Sequence, residues 1–464
     1  MKTLSVQQTK SSMLHTIFVL AWPTMLEQLM QTAVQYIDTA MVGTLGTHAT
    51  AAVGATTTVN WLINSTVSAL GIGFLSFIAR ALGAGEERQA RKIAAQTVFL
   101  VLVVGSLFTV LPLTLSARVP VWMQVEPAIR ALAAQYFFIL YSPMLLRTAT
   151  IIFGTVLRAG GDTKTPMLVG LLVNIVNVIL NFLMIYPTRT ATLFARTVTI
   201  PGMGLGVAGA AAASAIAFAV GGICITIAFW RHPTLSPKDE RLMPDFQILR
   251  PCLKVALPNM LQRFATSLGY VAFASMINSL GEISTAAHTI ANTVESAFYI
   301  PGYGMQTAAA TLAGNAMGAK DPKKMRSLTV TIITIEVTLM VLSGTLLFLF
   351  APQMMHLFST SGEVIALGST VLRMVAVSEP FFGVAIIIEG ILQGTGNTMI
   401  PFLFSVLGMW TVRIGGTFLC TQLLGLGLPA AWACMISHNL LLFFLFVVYC
   451  LRSRRSPLHF EMTA

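Results

Sequence analysis

Charged residues are scarce in this chain of 464 residues. Asp, Glu, Lys and Arg together make up 10% of the sequence, and 55% of it is hydrophobic. A soluble globular domain has about 25% charged residues, so this composition excludes a soluble fold and predicts a protein that lies in a lipid bilayer. The net charge of +11 does not require a nucleic-acid partner, because membrane topology alone collects basic residues in cytoplasmic loops.

Motifs for nucleotide-driven or enzymatic chemistry are also missing. The sequence has no GxxxxGK[ST] loop for phosphates and no HExxH or similar set of metal ligands. Residues 204–209 match GxGxxG, but they open an apolar span without a preceding strand, which indicates close helix packing. Five cysteines occur in or beside apolar spans without CxxC spacing, so neither disulfides nor zinc are expected. We therefore expect no enzyme activity, no cofactor and no structural metal.

Twelve apolar stretches are long enough to cross a bilayer, which takes about 20 residues of helix. They run at about 14–41, 50–79, 93–116, 128–153, 166–187, 206–230, 254–278, 286–313, 327–350, 363–390, 400–422 and 428–451. The first 13 residues are polar and the first apolar run is too long for a signal peptide. The sequence thus predicts an all-α membrane protein with twelve transmembrane helices.

Basic residues are concentrated on one face of this predicted membrane domain. Most of them fall in the terminal segments and in the loops after spans 2, 4, 6 and 8, with clusters at 80–92, 231–254, 320–326 and 452–455. The opposite loops contain only Arg118, Arg130, Arg189 and Arg196. Since cytoplasmic loops collect Lys and Arg, both termini are predicted to be cytoplasmic.

The second half of the chain repeats the first. Residues 21–91 align without a gap with residues 256–326 at a constant offset of 235, and the same offset relates LRAGGDTKTP to LQGTGNTMIP. Because each unit has six spans, both halves cross the membrane in the same sense, which makes a parallel repeat. We predict an N-terminal lobe at 1–230, a cytoplasmic linker at 231–253 and a C-terminal lobe at 254–464, with a central cleft between two pseudo-symmetric lobes.

A stripe of polar side chains follows one face of span 1. Glu27, Gln31, Gln35 and Asp38 are spaced by four, four and three residues, which places them above one another on a helix. Ionisable groups at bilayer depth face an interior or a watery cavity, so the stripe is predicted to face the cleft or the lobe core. Pro23 removes a backbone hydrogen bond from the same helix, and a bend there would move the stripe.

A second polar face occurs on span 5. Asn174, Asn177 and Asn181 lie at i, i+3 and i+7, and their amides supply oxygens that could stand beside a carboxylate. With Asp38 they could form an oxygen-rich Na⁺ pocket, or a network in which Asp38 takes up and releases a proton. The alternative is a structural one, since asparagines often only join packed membrane helices.

Further polar groups mark a substrate region. Asn60 and Asn64 of span 2 correspond, at the 235 offset, to Glu295 and Tyr299 of span 8. Glu295, together with Glu379 of span 10, is a candidate receptor for a cationic substrate. Glu336 and Glu389 carry less weight, because the first has no polar companion on its helix face and the second is near a membrane surface.

The chain resembles the multidrug and toxic compound extrusion (MATE) family of bacterial transporters. The resemblance covers nearly the whole length. It is carried by the opening AWPTMLEQLMQTAVQYIDTAMVGTLG, by the LGAGE loop at 82–86 that recurs as MGAKD, and by LRAGGDTKTP answered by LQGTGNTMIP. Each motif alone is modestly specific, whereas their order and spacing together are strong.

The resemblance implies a monomeric exporter of the bacterial inner membrane that exchanges H⁺ or Na⁺ for organic cations and other amphipathic small molecules. In the family, the residue matching Asp38 is the cation-coupled carboxylate, and the positions matching Asn177 and Asn181 contribute to its network. Some relatives have an acidic residue where this chain has Asn181. Relatives of the NorM branch also have two second-lobe acids where Thr266 and Phe382 stand here, so the chain looks closer to the branch that includes DinF.

Two other functions fit the architecture less well. A flippase of lipid-linked oligosaccharides, or an exporter of another amphipathic metabolite, would share the two-lobed fold, but a strongly cationic cleft would be expected for a diphosphate. A channel is the second alternative. The duplicated lobes with a carboxylate stripe favour a transporter with a midplane site instead.

Overall fold

The computed structural model describes residues 10–123, 125–193, 196–453, 456 and 458. The first repeat contains α1 (Lys10–Gly43), α2 (Thr47–Gly83), α3 (Glu87–Leu115), α4 (Val119–Trp122), α5 (Arg130–Tyr141), α6 (Met144–Ala159), α7 (Lys164–Met184) and α8 (Gly206–Arg231). The second contains α9 (Phe246–Asn278), α10 (Glu282–Gly318), α11 (Pro322–His356), α12 (Gly362–Ala376), α13 (Glu379–Gly394), α14 (Met399–Leu407) and α15 (Leu428–Arg452). Two π-helical stretches, Gly408–Gly415 and Phe418–Leu423, extend α14.

The predicted all-helical membrane fold is confirmed. Within the described part of the chain, seven helices are long and apolar enough to cross a membrane, and nine if each of two bent helix pairs counts as one span. The helices α1, α9 and α10 have 34, 33 and 37 residues. They are long enough to cross a membrane, but their polar residues make them less apolar than these nine. With these three, every one of the twelve predicted spans is helical.

Both bent pairs reflect the duplication. Between α5 and α6 the chain bends by 50°, and between α12 and α13 by 54°. The breaks fall at residues 142–143 and 377–378, which are equivalent at the offset of 235. Pro143 and Pro380 lie at these bends, where the missing backbone donor weakens the helix. The repeat therefore preserves the deformations of the helices as well as their order.

The chain packs into two compact units that cut across the sequence repeat. The C-terminal unit contains Met1–Gln28, Ile72–Glu87 and Pro251–Ala464, and the N-terminal unit contains Leu29–Gly71 and Arg88–Arg250. In the C-terminal unit, Ile17 and Ala21 of α1 join a buried cluster with Ala309 of α10 and Ile387 of α13. The first half of α1 and the last turns of α2 therefore pack with the helices of the second repeat. The lobe boundaries at 230 and 254 remain a prediction.

Two equivalent glycines hold α2 and α10 together inside the C-terminal unit. A Cβ added at Gly83 would collide with the carbonyl oxygen of Asn315, and a Cβ at Gly318 would collide with that of Arg80. At the offset of 235, Gly83 corresponds to Gly318 and Arg80 to Asn315, so the contact is reciprocal. Small residues let helix backbones approach closely. The same end of α2 is also joined to the end of α13, because Arg80 Nη2 donates to the Thr395 carbonyl and Ser76 Oγ donates to the Gly394 carbonyl at 2.9 Å.

The segment between α7 and α8 forms a two-stranded hairpin in the N-terminal unit. Strand β1 (Pro187–Leu193) pairs antiparallel with β2 (Arg196–Met203), and Thr190 faces Thr199. The Thr and Val residues of this segment favour strands.

The C-terminal end of α8 is followed by a turn that is held by a histidine. His232 Nδ1 accepts hydrogen bonds from the backbone amides of Thr234 at 3.3 Å and Leu235 at 3.1 Å. Burial lowers the pKa of His232 below its usual value of 6.5, against the opposing effect of the Asp162 carboxylate. Protonation would remove the acceptor, so the neutral ring stabilises this turn.

We expect the turn to lose stability as the pH falls below about 6.5, because a lowered folded-state pKa means that the unfolded state binds the proton first. Intrinsic amide exchange slows as the pH falls, so the quantity to compare is the protection factor, which divides out the intrinsic rate. The protection factors of the Thr234 and Leu235 amides should decrease as the pH falls from about 7.5 to below 6.5. In the His232→Asn variant, whose side-chain oxygen keeps an acceptor but does not titrate, they should stay constant over the same range. Equal pH dependence in both proteins would contradict the assignment.

Candidate cation site

Asp38 lies in a compact hydrogen-bonded cluster in the N-terminal unit. Asn181 Nδ2 of α7 donates to Asp38 Oδ1 at 2.6 Å and also contacts Asn177 Oδ1 at 3.1 Å. Asn177 in turn contacts Ser214 Oγ of α8 at 3.0 Å. Asn181 and Asn177 are 1% and 5% exposed, so three helices, α1, α7 and α8, supply a nearly dry polar centre around one carboxyl group.

The amide of Asn177 can serve Asp38 in either of two orientations. With its nitrogen toward Asp38, Nδ2 donates to Oδ1 at 2.7 Å and the amide oxygen accepts from Ser214 Oγ at 3.0 Å. This arrangement suits an ionised Asp38, which only accepts. With its oxygen toward Asp38, the amide would accept the proton of a neutral carboxylic acid and donate to Ser214. The Ser214 hydroxyl is both a donor and an acceptor, so it satisfies both orientations.

One acceptor of the cluster has no protein donor. Asn181 Oδ1 is buried and makes no hydrogen bond within the described part of the chain. An unpartnered oxygen close to a carboxylate is a ligand that a Na⁺ ion could use. Asn174, the third asparagine of the predicted face, is half-buried and forms no hydrogen bond with Asp38 among the residues described.

The remaining stripe residues of α1 differ in exposure. Gln31 and Gln35 are exposed, while Glu27 is half-buried and belongs to the C-terminal unit. Pro23 lies inside α1 and is buried. The next residue is Thr24, whose Oγ1 donates to the Gly304 carbonyl at 2.9 Å, so α1 is held to α10 directly beside its proline.

Asn60 belongs to an internal network of the N-terminal unit. Its Oδ1 accepts from Arg147 Nη1 at 3.0 Å, from Tyr141 Oη at 3.3 Å and from Asn64 Nδ2 at 3.2 Å. The Arg147 guanidinium also lies over the Phe218 ring, 4.0 Å from its centroid. Asn60 Oδ1 thus accepts three hydrogen bonds, one of them from the buried guanidinium of Arg147. Little capacity remains on this oxygen for a ligand.

Three glutamates are buried in the C-terminal unit. Glu295 of α10, Glu336 of α11 and Glu379 of α13 are 5%, 1% and 1% exposed. Glu336 Oε1 and Glu379 Oε2 have no hydrogen-bond partner within the described segments. Burying an unpaired carboxylate is costly. These groups therefore need a proton or a cation.

Glu336 lies against glycines of two neighbouring helices. A Cβ at Gly302 of α10 would lie 2.6 Å from its Oε1, and one at Gly383 of α13 would lie 3.3 Å from the same atom. Two glycines on neighbouring helices thus leave the space that the carboxyl group fills. The signal was invisible along α11 alone, because the companions of Glu336 come from other helices. Tyr299 lies in the same unit, with its ring centroid 5.8 Å from that of Phe382.

Glu389 is well supported by donors. Gln262 Nε2 and Gln393 Nε2 donate to its Oε1 at 3.0 and 2.9 Å, and Arg263 Nη2 lies 3.9 Å away. Gln393 also donates to Asn259 Oδ1 at 3.1 Å. Such a network satisfies a carboxylate inside the helix bundle.

The sequence is similar to a family model and to several known proteins. The MatE family model matches residues 23–183 and again 258–419, which is more than half of the chain and follows the two repeats. The probable multidrug resistance protein NorM of Thermotoga maritima is 27% identical over 436 residues, with 92% of this chain and 91% of that protein covered. The probable multidrug resistance protein YoeA of Bacillus subtilis is 24% identical over 441 residues, covering 92% of each.

Solved structures show the same fold. A crystal structure of MATE in complex with MaD3S superposes with a TM-score of 0.85 at 24% identity, covering 94% of both chains. A multidrug resistance MATE family transporter of the MOP superfamily, in an outward-facing conformation, gives a TM-score of 0.84 at 24% identity with the same coverage. At this identity the likeness concerns the fold alone.

Two six-span repeats with ionisable groups inside the helix bundle are the architecture of a duplicated membrane transporter. The chain belongs to the MatE family of such transporters, as the match to both repeats shows. The predicted family is therefore confirmed.

Proposed function

We propose that this protein is a secondary active antiporter that exports organic cations and other amphipathic toxic compounds in exchange for H⁺ or Na⁺. The observation that carries the proposal is the cluster of Asp38, Asn177, Asn181 and Ser214, in which one carboxyl group can be satisfied both with and without its charge. The names of the relatives, which are probable multidrug resistance proteins, support the substrate class. No cofactor other than the coupling ion is part of the proposal.

Asp38 is the proposed coupling carboxylate. In its ionised form it accepts from Asn181 and from the turned Asn177 amide, and it attracts a cationic substrate in a site of low dielectric constant. Arrival of a proton, or of a Na⁺ ion that also uses Asn181 Oδ1, removes that attraction and releases the substrate. Ion and substrate thus compete for one charge, and the binding of each lowers the affinity for the other.

Substitution of Ser214 tests this mechanism. Ser214→Ala removes the partner that satisfies Asn177 in both orientations, so the charged and neutral states of Asp38 should no longer be equally well supported. We expect a loss of about 1–2 kcal/mol of coupling, or roughly fivefold to thirtyfold in transport rate, from one unsatisfied buried amide. Gradient-driven transport by reconstituted protein measures it. Ser214→Thr, which keeps the hydroxyl, should retain most activity, and equal loss in both variants would refute the role.

Other residues have proposed roles around this centre. Asn174 completes the cation-coupling face of α7. Substrate contacts are proposed for Glu27, Gln31, Gln35, Asn60, Asn64, Glu295, Tyr299 and Glu379. Pro23 is proposed as a hinge of α1, since a helix without that backbone hydrogen bond bends more easily. Among these, the exposed amides of Gln31 and Gln35 are the best placed to meet a ligand.

The branch within the family is proposed to be DinF-like. The Thr266 hydroxyl donates to the backbone carbonyls of Gln262 and Arg263, at 2.8 and 3.2 Å. The Phe382 ring packs against the ring of Tyr299. Neither position offers a carboxylate. This supports Asp38 as the coupling site. We further propose a monomer in the bacterial inner membrane, surrounded by lipids, with both termini in the cytoplasm.

Efflux from proteoliposomes tests the proposed function. A fluorescent organic cation such as ethidium is loaded, and an H⁺ gradient and a Na⁺ gradient are imposed in separate experiments. Antiport predicts that at least one gradient accelerates dye movement above that of protein-free vesicles, and the effective gradient names the ion. If neither gradient moves the dye, the antiporter proposal fails and flipping of lipid-linked oligosaccharides or export of another amphipathic metabolite becomes the alternative.

A further inference from the structure

Two thiols of the C-terminal unit lie side by side. Cys420 is in the π-helical stretch Phe418–Leu423 and Cys434 is in α15, and their Sγ atoms are 3.8 Å apart. Both side chains are half-buried. The sequence offers no sign of the pair, because its members are separated by a turn and show no CxxC spacing.

The helical hairpin sets this contact. Gly427 lies midway between Cys420 and Cys434 in the sequence, so the two cysteines face each other when the spans before and after the turn run antiparallel. The turn is held by Leu426, whose backbone N donates to the Cys420 carbonyl at 2.8 Å, and by Gly425 with a φ of +65°. Gly425 therefore uses the left-handed backbone region that glycine readily adopts.

A close helix approach keeps the sulfurs together. A Cβ added at Gly416, one turn before Cys420, would lie only 3.1 Å from Cys434 Sγ. The missing side chain at Gly416 thus makes room for the Cys434 thiol. The contact depends on covalently adjacent spans within one compact unit, so we expect it to persist while other parts of the protein move.

We propose that Cys420 and Cys434 form an oxidation-sensitive thiol pair that closes to a disulfide and thereby slows transport. A disulfide needs an S–S distance of about 2 Å, so closure requires the two sulfurs to approach each other from the observed 3.8 Å. The oxidant is a low-molecular-weight or protein disulfide. One cysteine thiolate attacks it, forms a mixed disulfide and releases one thiol. The second thiolate then attacks the mixed disulfide, forms the internal bond and releases the other thiol.

Closure would restrain an unusual part of the fold. π-Helical winding is rare and occurs often at functional sites, and here it occupies most of the second half of span 11. A bridge to α15 would fix the winding and register of that stretch. Because the restraint also limits the unfolded chain, the oxidised protein should unfold at a higher temperature. The effect on transport rests on the proposed function, whereas the thiol chemistry does not.

The test uses the purified full-length protein treated with 4,4′-dithiodipyridine, a disulfide oxidant that releases an ultraviolet-absorbing thione at each exchange step. Intact-mass and peptide analysis should find an internal Cys420–Cys434 bridge with the loss of two hydrogens. The unfolding temperature should rise by a few degrees. Dye transport after reconstitution should fall several-fold and recover on reduction with dithiothreitol.

Matched variants separate the possible results. Cys224→Ser, a change of another half-buried thiol in the N-terminal unit, should leave closure intact. Cys420→Ser and Cys434→Ser should each prevent it and make transport insensitive to the oxidant. Stable mixed disulfides without a bridge, or bridges between two protein molecules, would overturn the proposal. A bridge that leaves the transport rate unchanged would overturn its role in control. If the reduced protein transports no dye at all, the proposed function fails while the mass result still decides the thiol assignment.

Discussion

The Asp38→Asn variant should bind organic cations weakly and should not export them against a gradient. An amide cannot release a proton or neutralise a bound Na⁺ ion, so no ion gradient can drive the exchange. The lost charge also removes the charge-assisted interaction between the carboxylate and the bound organic cation, worth about 1.5–3 kcal/mol, or roughly tenfold to 150-fold in affinity. Gradient-driven dye efflux from proteoliposomes is the measurement.

The control for this change is Asp239→Asn, which alters an exposed carboxylate in the loop between α8 and α9. It should transport at the wild-type rate. Thermal unfolding of both variants shows whether the membrane fold is kept. Undiminished gradient-driven efflux by a folded Asp38→Asn protein would remove Asp38 from the coupling mechanism.

Alanine at Gly83 or Gly318 should destabilise the C-terminal unit strongly. At each position the new Cβ meets the backbone of the opposing helix, which cannot rotate away as a side chain can. Overpacking typically costs about 1–3 kcal/mol, and we expect the upper part of this range here. Thermal unfolding of the purified protein should show a lower midpoint for each variant.

The design of this second test uses the symmetry of the contact. Because the two glycines share one crossing, the double variant should lose less than the sum of the single losses. Gly362→Ala is the matched control, since a Cβ there meets nothing within 4 Å. Wild-type stability in Gly318→Ala would mean that α2 and α10 are not held together by this crossing.

The sequence was sufficient to predict the helices and their duplication, because length and hydropathy determine a transmembrane span without any knowledge of its neighbours. The predicted meeting of Asp38 with Asn177 and Asn181 also appears in the structure. Polar side chains inside a membrane have few polar groups with which they can pair. The asparagines on one face of α7 and the carboxylate of α1 were therefore natural partners. Prediction was effective where the signal was contained within a single helix.

Contacts between helices were harder to predict. Ser214 lies in a run of alanines, and nothing along α8 indicates that its hydroxyl reaches Asn177. Glu336 has companions only on α10 and α13, and Cys420 meets Cys434 only after the hairpin has closed. A helix that is apolar on all sides has no pattern in its sequence that shows which side packs against a neighbouring helix. The rotation of each helix about its axis therefore could not be predicted.

The most direct test of the account is the ion released when substrate binds to purified protein. Competition for the charge of Asp38 predicts that an organic cation displaces H⁺ or Na⁺, detected with a pH dye in weak buffer or a Na⁺ electrode. Raising the concentration of that ion should weaken substrate binding by the same coupling factor. Asp38→Asn should release neither ion. Substrate binding that releases no ion from the wild-type protein, or equal release from Asp38→Asn, would contradict coupling through this carboxylate.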